Sequence, residues 1–531
     1  MRRLALASAL LLVLSPSLVA ANSASGAGPA DTISLSITRV GAGQVAKGTA
    51  SPVIPGRLFE LQYKSGSVWK RAGAKVAESP SGLVKKSFGL SGVSRTTPRT
   101  YRLVGDAVDG SAAVSRSVPF APGPQTLGAH VLYVLTDSGA TPTTKGVDYK
   151  GTAVVDGSDP LRLETVAVRG NSSATKPKKP YKLKFEDKQT PFDLPRDRTW
   201  ILLANYGDRT LVRSKVAWDL GDQLDGLKWT PKSVFTELFL NGKYLGSYQI
   251  VQSIKIDNNR VNVDKVAGQV MEVDPHYVED GVPGFKGQSG LPFSFKDPDE
   301  FKKLADGTQD PEGLTAAKVS GMTSKIKKFE KVLYAKDWSK VNFGTLAPAD
   351  DWTTYLDLSS AVDYYIAREF TKDNDADFYR SNFFYTNNYS VASADKLFMG
   401  PIWDFDRSAG AATGASTTIA SPKGWWMRGN GSPNHDTNKI HWYVRIAKDP
   451  RFLAALKLRW NEKRLIIKAI STTGVDSAVA ALGTTVAEND RQVWSSYGSR
   501  YDVHSSTYVG EINYLKGWYK NRFNWIDAEI N

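Results

Sequence analysis

Two polar clusters in the second half of the chain contain the residue types that bind a divalent cation. In one, an apolar run ends at Asp404 and Asp406, with a single residue between them. In the other, Asp375 and Asp377 precede Asn382, where another apolar run begins. Carboxylate and amide oxygens at the ends of neighbouring strands are hard ligands that suit Mg²⁺ or Mn²⁺. The alternative is that both clusters are polar turns that cap strands and face water.

The spacing of Asp377 and Asn382, D-x-x-x-x-N, is that of the protein-kinase catalytic loop. In such a site the Asp accepts the proton of the substrate hydroxyl and the Asn binds a metal ion. Asp404 would then hold the cation that bridges the nucleotide phosphates. The sequence contains neither H-R-D nor G-x-G-x-x-G, so it does not predict an ordinary protein kinase.

A basic strand upstream is a candidate phosphate-binding element. Arg169 is followed by a Gly-Asn-Ser-Ser turn, whose backbone N–H groups could cradle an anion. Lys182 and Lys184 share one face of the next alternating strand, from which a lysine can contact phosphate oxygens. The alternative is a solvated strand edge whose lysines prevent aggregation. A Walker A motif, G-x-x-x-x-G-K-[ST], is absent from the sequence.

Composition excludes several classes of chemistry. The 531 residues include no Cys and only five His, without an H-E-x-x-H motif, so thiol catalysis and a zinc hydrolase are not expected. The net charge of +14 favours association with anionic polymers, such as those of a cell wall. The basic residues are dispersed and form no zinc-finger or RNP-type motif, so we expect no nucleic-acid partner.

The N-terminus has the pattern of a secretory signal. Two arginines precede the apolar run 4–19, and small residues follow, so cleavage is expected after Ala21. Further along the chain no apolar run is long enough for a transmembrane anchor. We therefore expect a secreted, extracellular protein, held at the cell envelope only by non-covalent contacts.

The rest of the chain divides into two predicted domains. Residues 22–30 are rich in Ala, Ser and Gly and are expected to be disordered. Residues 31–118 consist of short alternating runs between turns, typical of a small β-sandwich of immunoglobulin or fibronectin type. Residues 119–126 form a Pro-rich linker. The large domain, 127–531, begins with strands and ends with helices, which predicts an α+β fold with a ligand cleft near the join.

Several elements of the large domain are predicted individually. Asn241-Gly242 between two apolar runs predicts a β-hairpin. Apolar residues at helical spacing predict helices over 210–224, 356–370, 450–470 and 475–486. The helix over 356–370 leads directly into the Asp375 cluster.

Six segments, in order, resemble the CotH (spore coat protein H) family of atypical secreted protein kinases. They are RGNSS (169–173) with KKPYKLKF (178–185), WILLANY (200–206) with DRTL (208–211), LFLNGKYLGSY (238–248), MEVD (271–274), DADFYRSNFFY (375–385) and GPIWDFD (400–406). The resemblance covers roughly residues 127–530.

The resemblance implies a bilobal, kinase-like fold, with a β-rich N-lobe and a helical C-lobe, that phosphorylates protein Ser or Thr with ATP and Mg²⁺ or Mn²⁺. Carried over to this chain, Lys184 would contact the phosphates, with Lys182 or Arg169 assisting. Asp375 is the first choice for the catalytic Asp, and Asp377 is the second. Asn382 and Asp404 would bind the metal. Asp406 would be an additional ligand or a strand-end cap.

The sequence departs from the family pattern at Gln252, where the family usually has Glu. The predicted helix 210–224 also contains no Glu for a kinase-type Lys–Glu pair, and ATP is scarce outside cells. A second hypothesis is therefore a catalytically silent structural or adhesive wall protein. A third is a carbohydrate-binding or carbohydrate-active protein, which would use paired acids and some of the 14 Trp, namely Trp425, Trp426, Trp442 and Trp494.

Overall fold

The structure, a computed structural model, describes residues 32–40, 43–51, 57–77, 86–90, 93, 99–106, 113–120, 127–373, 378, 380–411, 420–428, 441–494 and 504–531. The predicted signal peptide and the predicted disordered segment 22–30 lie outside these residues. Within them the protein is α+β, as the sequence predicts.

The N-terminal region is built from strands in two sheets. One sheet has the order β1-β2-β6, and the other has the order β4-β3-β7-β8. In the second of these sheets β5 also pairs with β3, and β9 also pairs with β7. Buried side chains of both sheets, among them Leu35, Phe59 and Leu103, form one hydrophobic cluster. The strands are β1 Thr32–Val40, β2 Gly43–Ser51, β3 Leu58–Ser65, β4 Val68–Arg71, β5 Val76–Ala77, β6 Lys86–Leu90, β7 Arg99–Gly105, β8 Ala113–Val114 and β9 Val118–Phe120. The last strand includes the first two residues of the predicted linker, whose remainder lies outside the described residues.

The large domain begins with a closed barrel, in the strand order β10-β11-β12-β13-β14-β16-β15. Its strands are β10 Val131–Thr136, β11 Asp148–Val155, β12 Leu161–Val168, β13 Tyr181–Gln189, β14 Asp197–Leu203, β15 Ser233–Leu240 and β16 Lys243–Gln252. Alternate residues such as Leu163, Leu183 and Trp200 fill the interior. The hairpin predicted at Asn241-Gly242 is confirmed: both residues have positive φ, 50° and 76°, as a type I′ turn requires.

The outer face of the barrel covers the helical part of the domain. Outward-facing barrel residues alternate with the interior ones and belong to the largest hydrophobic cluster among the described residues, which also includes the buried side chains of the helices. Examples are Ile201, Phe235 and Val251. Lys182 is paired with Ile201 across β13 and β14, so it lies on this outer face, one strand beyond the covered area. The barrel therefore places its basic residues beside the junction between sheet and helices.

A second sheet joins the two halves of the large domain. Its strands are β17 Gln269–Val273, β18 Gly284–Lys286, β19 Pro292–Asp297, β20 Asn382–Thr386 and β21 Phe398–Met399, in the order β18-β19-β17-β20-β21. Asn382 begins β20, opposite Val273 of β17. Strands from the later half of the chain thus pair with strands from the earlier half, and both candidate metal-binding segments adjoin this sheet.

Helices pack against both sheets of the large domain. They are α1 Arg213–Gly221, α2 Ala316–Ala335, α3 Leu358–Thr371, α4 Trp442–Ile446, α5 Pro450–Ala469, α6 Val475–Leu482, α7 Thr484–Val493 and α8 Tyr508–Ile530. Helices lie at each predicted position, but the prediction of one helix over 475–486 is wrong. Gly483 has φ 84°, a left-handed conformation that ends α6 and lets α7 start in a new direction.

Among the described residues one helical stretch, Pro450–Leu482, is long and apolar enough to cross a membrane, with a mean hydropathy of 1.4 over its most apolar window. Phe452, Leu456, Trp460 and Ile467 on this stretch are buried in the protein core. Core helices of soluble proteins often have this composition, so the stretch bears only weakly on anchoring.

Candidate functional site

Asn382 and Asp404 lie at neighbouring positions at one end of the second sheet. Strands β20 and β21 are hydrogen-bonded to each other, and the loop that carries Asp404 follows β21. The Gly400 N–H donates to the carbonyl of Phe383 (2.9 Å), and Ser381 Oγ donates to Asp404 Oδ2 (3.3 Å). The structure thus places the Asp404 side chain against Ser381, the residue directly before Asn382.

The loop with Asp404 is anchored on both sides of that residue. The indole Nε1 of Trp218 donates to the carbonyl of Ile402 (3.2 Å), and the rings of Trp218 and Trp403 pack 5.6 Å apart. Ile402 and Phe405 are buried, whereas Asp404 is exposed. The loop is therefore held by its apolar side chains, and it presents the carboxylate of Asp404 to solvent.

Three residues of this region have a strained backbone conformation. Phe378, Ser381 and Asp404 have φ values of 64°, 51° and 71°, in the left-handed region that residues other than glycine seldom adopt. Each such residue costs of order 1–3 kcal/mol and persists where surrounding contacts impose it, commonly at functional sites. Here the strain accompanies the two candidate metal-binding segments.

Asn382 is buried, and its side chain is fixed in one orientation. Tyr364 donates its hydroxyl to Asn382 Oδ1 (2.8 Å), and Asn382 Nδ2 donates to the carbonyl of Arg380 (2.7 Å). These bonds decide which end of the amide is oxygen and which is nitrogen. Burial raises the pKa of Tyr364 to about 12, so its hydroxyl remains a donor at neutral pH.

Arg368 lies one turn after Tyr364 on α3 and is also buried. Its guanidinium forms an ion pair with Asp373 (Nη2–Oδ2 2.7 Å). Nη1 donates to the carbonyls of Trp403 (2.8 Å) and Ser381 (3.3 Å). The same guanidinium lies 5.4 Å from the centre of the Phe405 ring. One side chain of α3 therefore contacts both segments of the candidate site.

Arg169, at the end of β12, approaches the site from the barrel. Its guanidinium lies 5.9 Å from the Trp403 ring, next to Asp404. Burial lowers the pKa of Arg169, and the charges of Asp404 and Glu272 oppose that effect. These interactions place a barrel cation within the electrostatic reach of the second sheet.

Glu272 is a site residue for which the sequence indicated no role. It faces Lys296 on β19 (Oε2–Nζ 3.0 Å), and burial raises its pKa, an effect that Asp274 increases and Lys296 opposes. The only sequence signal was its place in the MEVD segment of the resemblance. Arg368 gave no sequence signal, because a single arginine in an apolar helix has no distinctive spacing.

Lys182 and Lys184 share the outer face of β13, as the alternation predicts. Lys184 forms an ion pair with Glu164 on β12 (2.8 Å), and Glu164 also pairs with Arg198 (2.6 Å). Lys182 is exposed and lies nearer to Arg169 along the paired strands, opposite Ala167. The two lysines therefore have different surroundings, although the sequence pattern treats them alike.

Gln252 is buried in the barrel wall. Its Oε1 accepts from the Lys232 N–H (3.0 Å), and its Nε2 donates to the carbonyl of Asn259 (3.0 Å). Both ends of the amide bind backbone groups. Gln252, where the sequence departs from the family pattern, thus has a structural role. A Glu carboxylate could accept from the Lys232 N–H but could not donate to the Asn259 carbonyl.

Of the four tryptophans considered for a glycan groove, two are buried and two are half-buried. Trp426 and Trp442 are buried in the large core, and Trp425 packs edge-on against Trp525 (4.9 Å). Trp494 donates its Nε1 to the carbonyl of Leu245 at the barrel (2.9 Å).

The remaining predicted acids are Asp375, Asp377 and Asp406. Asp375 and Asp377 lie outside the described residues, so their catalytic roles remain predictions. Asp406 is half-buried on the loop with Asp404. Within the part of the chain that the structure describes, no three His, Asp or Glu side chains gather into a ready-made metal cluster.

Comparison of the sequence with known families identifies one family. The model of the family described as CotH kinase protein matches residues 166–526, more than half of the chain. The chain therefore belongs to the CotH kinase family. A search of curated proteins returned no match.

Proposed function

We propose that this protein is an exported atypical kinase that transfers the γ-phosphate of ATP to Ser or Thr of envelope, coat or secreted proteins. Family membership supports a kinase-like function. The observation that carries the proposal is the position of a barrel cation, Arg169, over the ring of Trp403, the residue directly before Asp404. Phosphoryl transfer needs this combination of positive charge and oxygen ligands.

The donor atoms fit a hard divalent cation. Asp404 supplies an exposed carboxylate, and Asn382 supplies an amide whose oxygen is oriented by Tyr364. Oxygen ligands of this kind suit Mg²⁺ or Mn²⁺, which bind few protein groups and take further oxygens from phosphates and water. In this proposal Asn382 and Asp404 hold the cation, and Asp406 assists.

The phosphates would lie between the barrel and the second sheet. Arg169 lies in the field of Asp404, and Lys182 lies next to Arg169 on the outer barrel face. Lys184 would have to exchange its ion pair with Glu164 for a phosphate. A bilobal, kinase-like arrangement is part of the proposal, since its candidate groups come from both sides of the junction.

Transfer of radioactive γ-phosphate to Ser/Thr-containing envelope extracts, and to the protein itself, tests the proposal. The wild-type protein should label substrates only with ATP and Mg²⁺ or Mn²⁺ together. Asp404→Ala should abolish cation-dependent nucleotide binding, whereas Asp375→Ala should retain binding and stop transfer. Asp306→Ala, an exposed acid in a distant turn, is the control. Unchanged nucleotide affinity in Asp404→Ala would refute the metal assignment.

A catalytically silent structural role is the second candidate. It is favoured by the engagement of Lys184 with Glu164 and by the two hydrogen bonds that fix the Asn382 amide. A silent protein would remain attached to cell walls after both Asp375 and Asp404 are replaced, and it would show no nucleotide binding.

Export and wall association are also proposals. They are supported by the sequence of residues 1–21 and by the net charge of +14, which suits anionic wall polymers. Fractionation of cells that express the full chain would test both, because N-terminal sequencing of the extracellular form should begin at Asn22.

A further inference from the structure

We infer that Arg368 is the positioning residue of the cation site: its guanidinium holds the backbone immediately before Asn382 and immediately before Asp404. That a cation binds here rests on the proposed function. The positions of the residues rest on the hydrogen bonds of Arg368. Ser381 and Trp403, whose carbonyls accept from Nη1, are the residues directly preceding the two candidate ligands.

Both accepting segments are strained, which explains why they need a strong anchor. Ser381 and Asp404 have φ of 51° and 71°, so the chain turns through the left-handed region at each segment. A hydrogen bond from a charged, buried donor is about twice as strong as one between neutral groups, so it can hold a turn that would otherwise relax. Without the guanidinium, relaxation of either turn would move Asn382 and Asp404 apart.

Asp373 and Phe405 hold the guanidinium itself in place. Asp373 is fully buried and pairs with Nη2 at 2.7 Å, so its negative charge balances the cation. The guanidinium carbon lies over the Phe405 ring, 5.4 Å from the ring centre. A planar fork with several donors can bind the carboxylate and both carbonyls at once, whereas a lysine ammonium has a different geometry.

Tyr364, on the same face of α3, also positions a candidate ligand. It precedes Arg368 by one helical turn and fixes the side chain of Asn382, while Arg368 fixes the backbone. One helix face thereby sets both the position and the orientation of a candidate ligand. The helix is itself well defined, because Asp357 caps its N-terminus by accepting from the Ser360 N–H.

The test compares Arg368→Lys with Arg522→Lys. Arg522 is a matched control: it is buried in the same helical part, pairs with Glu369 (2.6 Å) and donates to the carbonyls of Pro422 and Gly424. Both variants should lower the melting temperature. Only Arg368→Lys should weaken binding of Mn²⁺·ATP, by at least about tenfold, because only it loosens the ligands.

Hydrogen exchange gives a readout that does not depend on catalysis or on nucleotide. Arg368→Lys should speed amide exchange in peptides covering 380–384 and 400–406, and Arg522→Lys should not. Asp373→Asn keeps the arginine and has nearly the same side-chain shape, and it should also speed exchange in both peptides. This variant replaces Arg368→Lys in the test if Arg368→Lys does not fold. Unchanged exchange in these peptides would overturn the inference.

The two proposals fail in different ways. If the wild-type protein binds Mn²⁺·ATP and both arginine variants bind it equally well, the positioning role is refuted and the proposed function stands. If the wild-type protein shows no binding while Arg368→Lys still loosens both peptides, the proposed function fails and Arg368 is only a structural anchor.

Discussion

Lys178 and Asp490, 312 positions apart in the sequence, form a fully buried ion pair with a Nζ–Oδ1 distance of 2.6 Å. Lys178 lies in the basic loop before β13, and Asp490 lies on α7. The same carboxylate accepts from the Ser247 N–H of β16 (2.8 Å). This loop, which precedes the strand that carries Lys182 and Lys184, is therefore tied at Lys178 to the helical part of the domain.

Replacing one partner of this pair should be strongly destabilising. Asp490→Ala leaves a buried ammonium unpaired, which typically costs about 3–5 kcal/mol. Urea unfolding measures the change. The control is Asp476→Ala, which breaks the surface pair with Lys516; Asp476 is 59% exposed, and we expect a loss below about 1 kcal/mol. Equal losses in the two variants would contradict this account.

Removal of Arg169 should weaken nucleotide binding more than removal of Lys184. Arg169 lies in the field of Asp404, whereas Lys184 is engaged with Glu164. A charge-assisted contact of about 1.5–3 kcal/mol corresponds to about a tenfold or larger loss of ATP affinity in Arg169→Ala. Arg162→Ala, at the other end of β12, is the control and should bind normally. A larger loss in Lys184→Ala would favour the role that the family resemblance implies.

Gln252→Glu should destabilise the protein and should not increase phosphoryl transfer. The Glu side chain would keep the acceptor for the Lys232 N–H but would lose the donor to Asn259, a loss of about 1–3 kcal/mol. Thermal melting and the transfer assay measure the two effects. Gln249→Glu makes the same chemical change on the same strand, and a rise in transfer specific to Gln252→Glu would show that a family acid is needed here.

Asp297 should give the protein a specific pH dependence. Burial raises the pKa of this carboxyl from 3.8 to about 6, so the folded protein binds its proton more tightly than the unfolded chain. Its contribution to stability is present in full below pH 4 and is lost as the pH rises through 6. Asp297→Asn should therefore become more stable relative to wild type between pH 4.5 and 7.5, by up to about 1.4 kcal/mol for each pKa unit. The measurement is the free energy of unfolding of both proteins as a function of pH. Parallel curves for the wild type and Asp297→Asn would contradict the raised pKa.

Local patterns were sufficient to predict much of the fold. The positive-φ preference of Asn241-Gly242 defines a hairpin without reference to the rest of the chain. Alternation on β13 predicted that Lys182 and Lys184 share a face, and apolar spacing located α3 and α5. These features depend on interactions between residues close in sequence, so they can be read from the sequence.

The break at Gly483 could not be read in this way. The apolar spacing continues through it, and a glycine inside a helical pattern is often tolerated. At Gly483, with φ 84°, the chain changes direction, and α7 packs against the barrel strand β16, where Asp490 meets Lys178 and Ser247. These contacts join residues far apart in the sequence, so the local pattern does not reveal them.

The sequence by itself determined the family, the α+β class and the residue types of the candidate cation site. Only the tertiary structure decided that Arg169 of the barrel lies near Asp404, and that Arg368 supports the backbone before both candidate ligands. Motif spacing records neighbours along the chain. Closure of the barrel and pairing of β17 with β20 bring distant segments together, and those contacts depend on burial and on the satisfaction of buried polar groups.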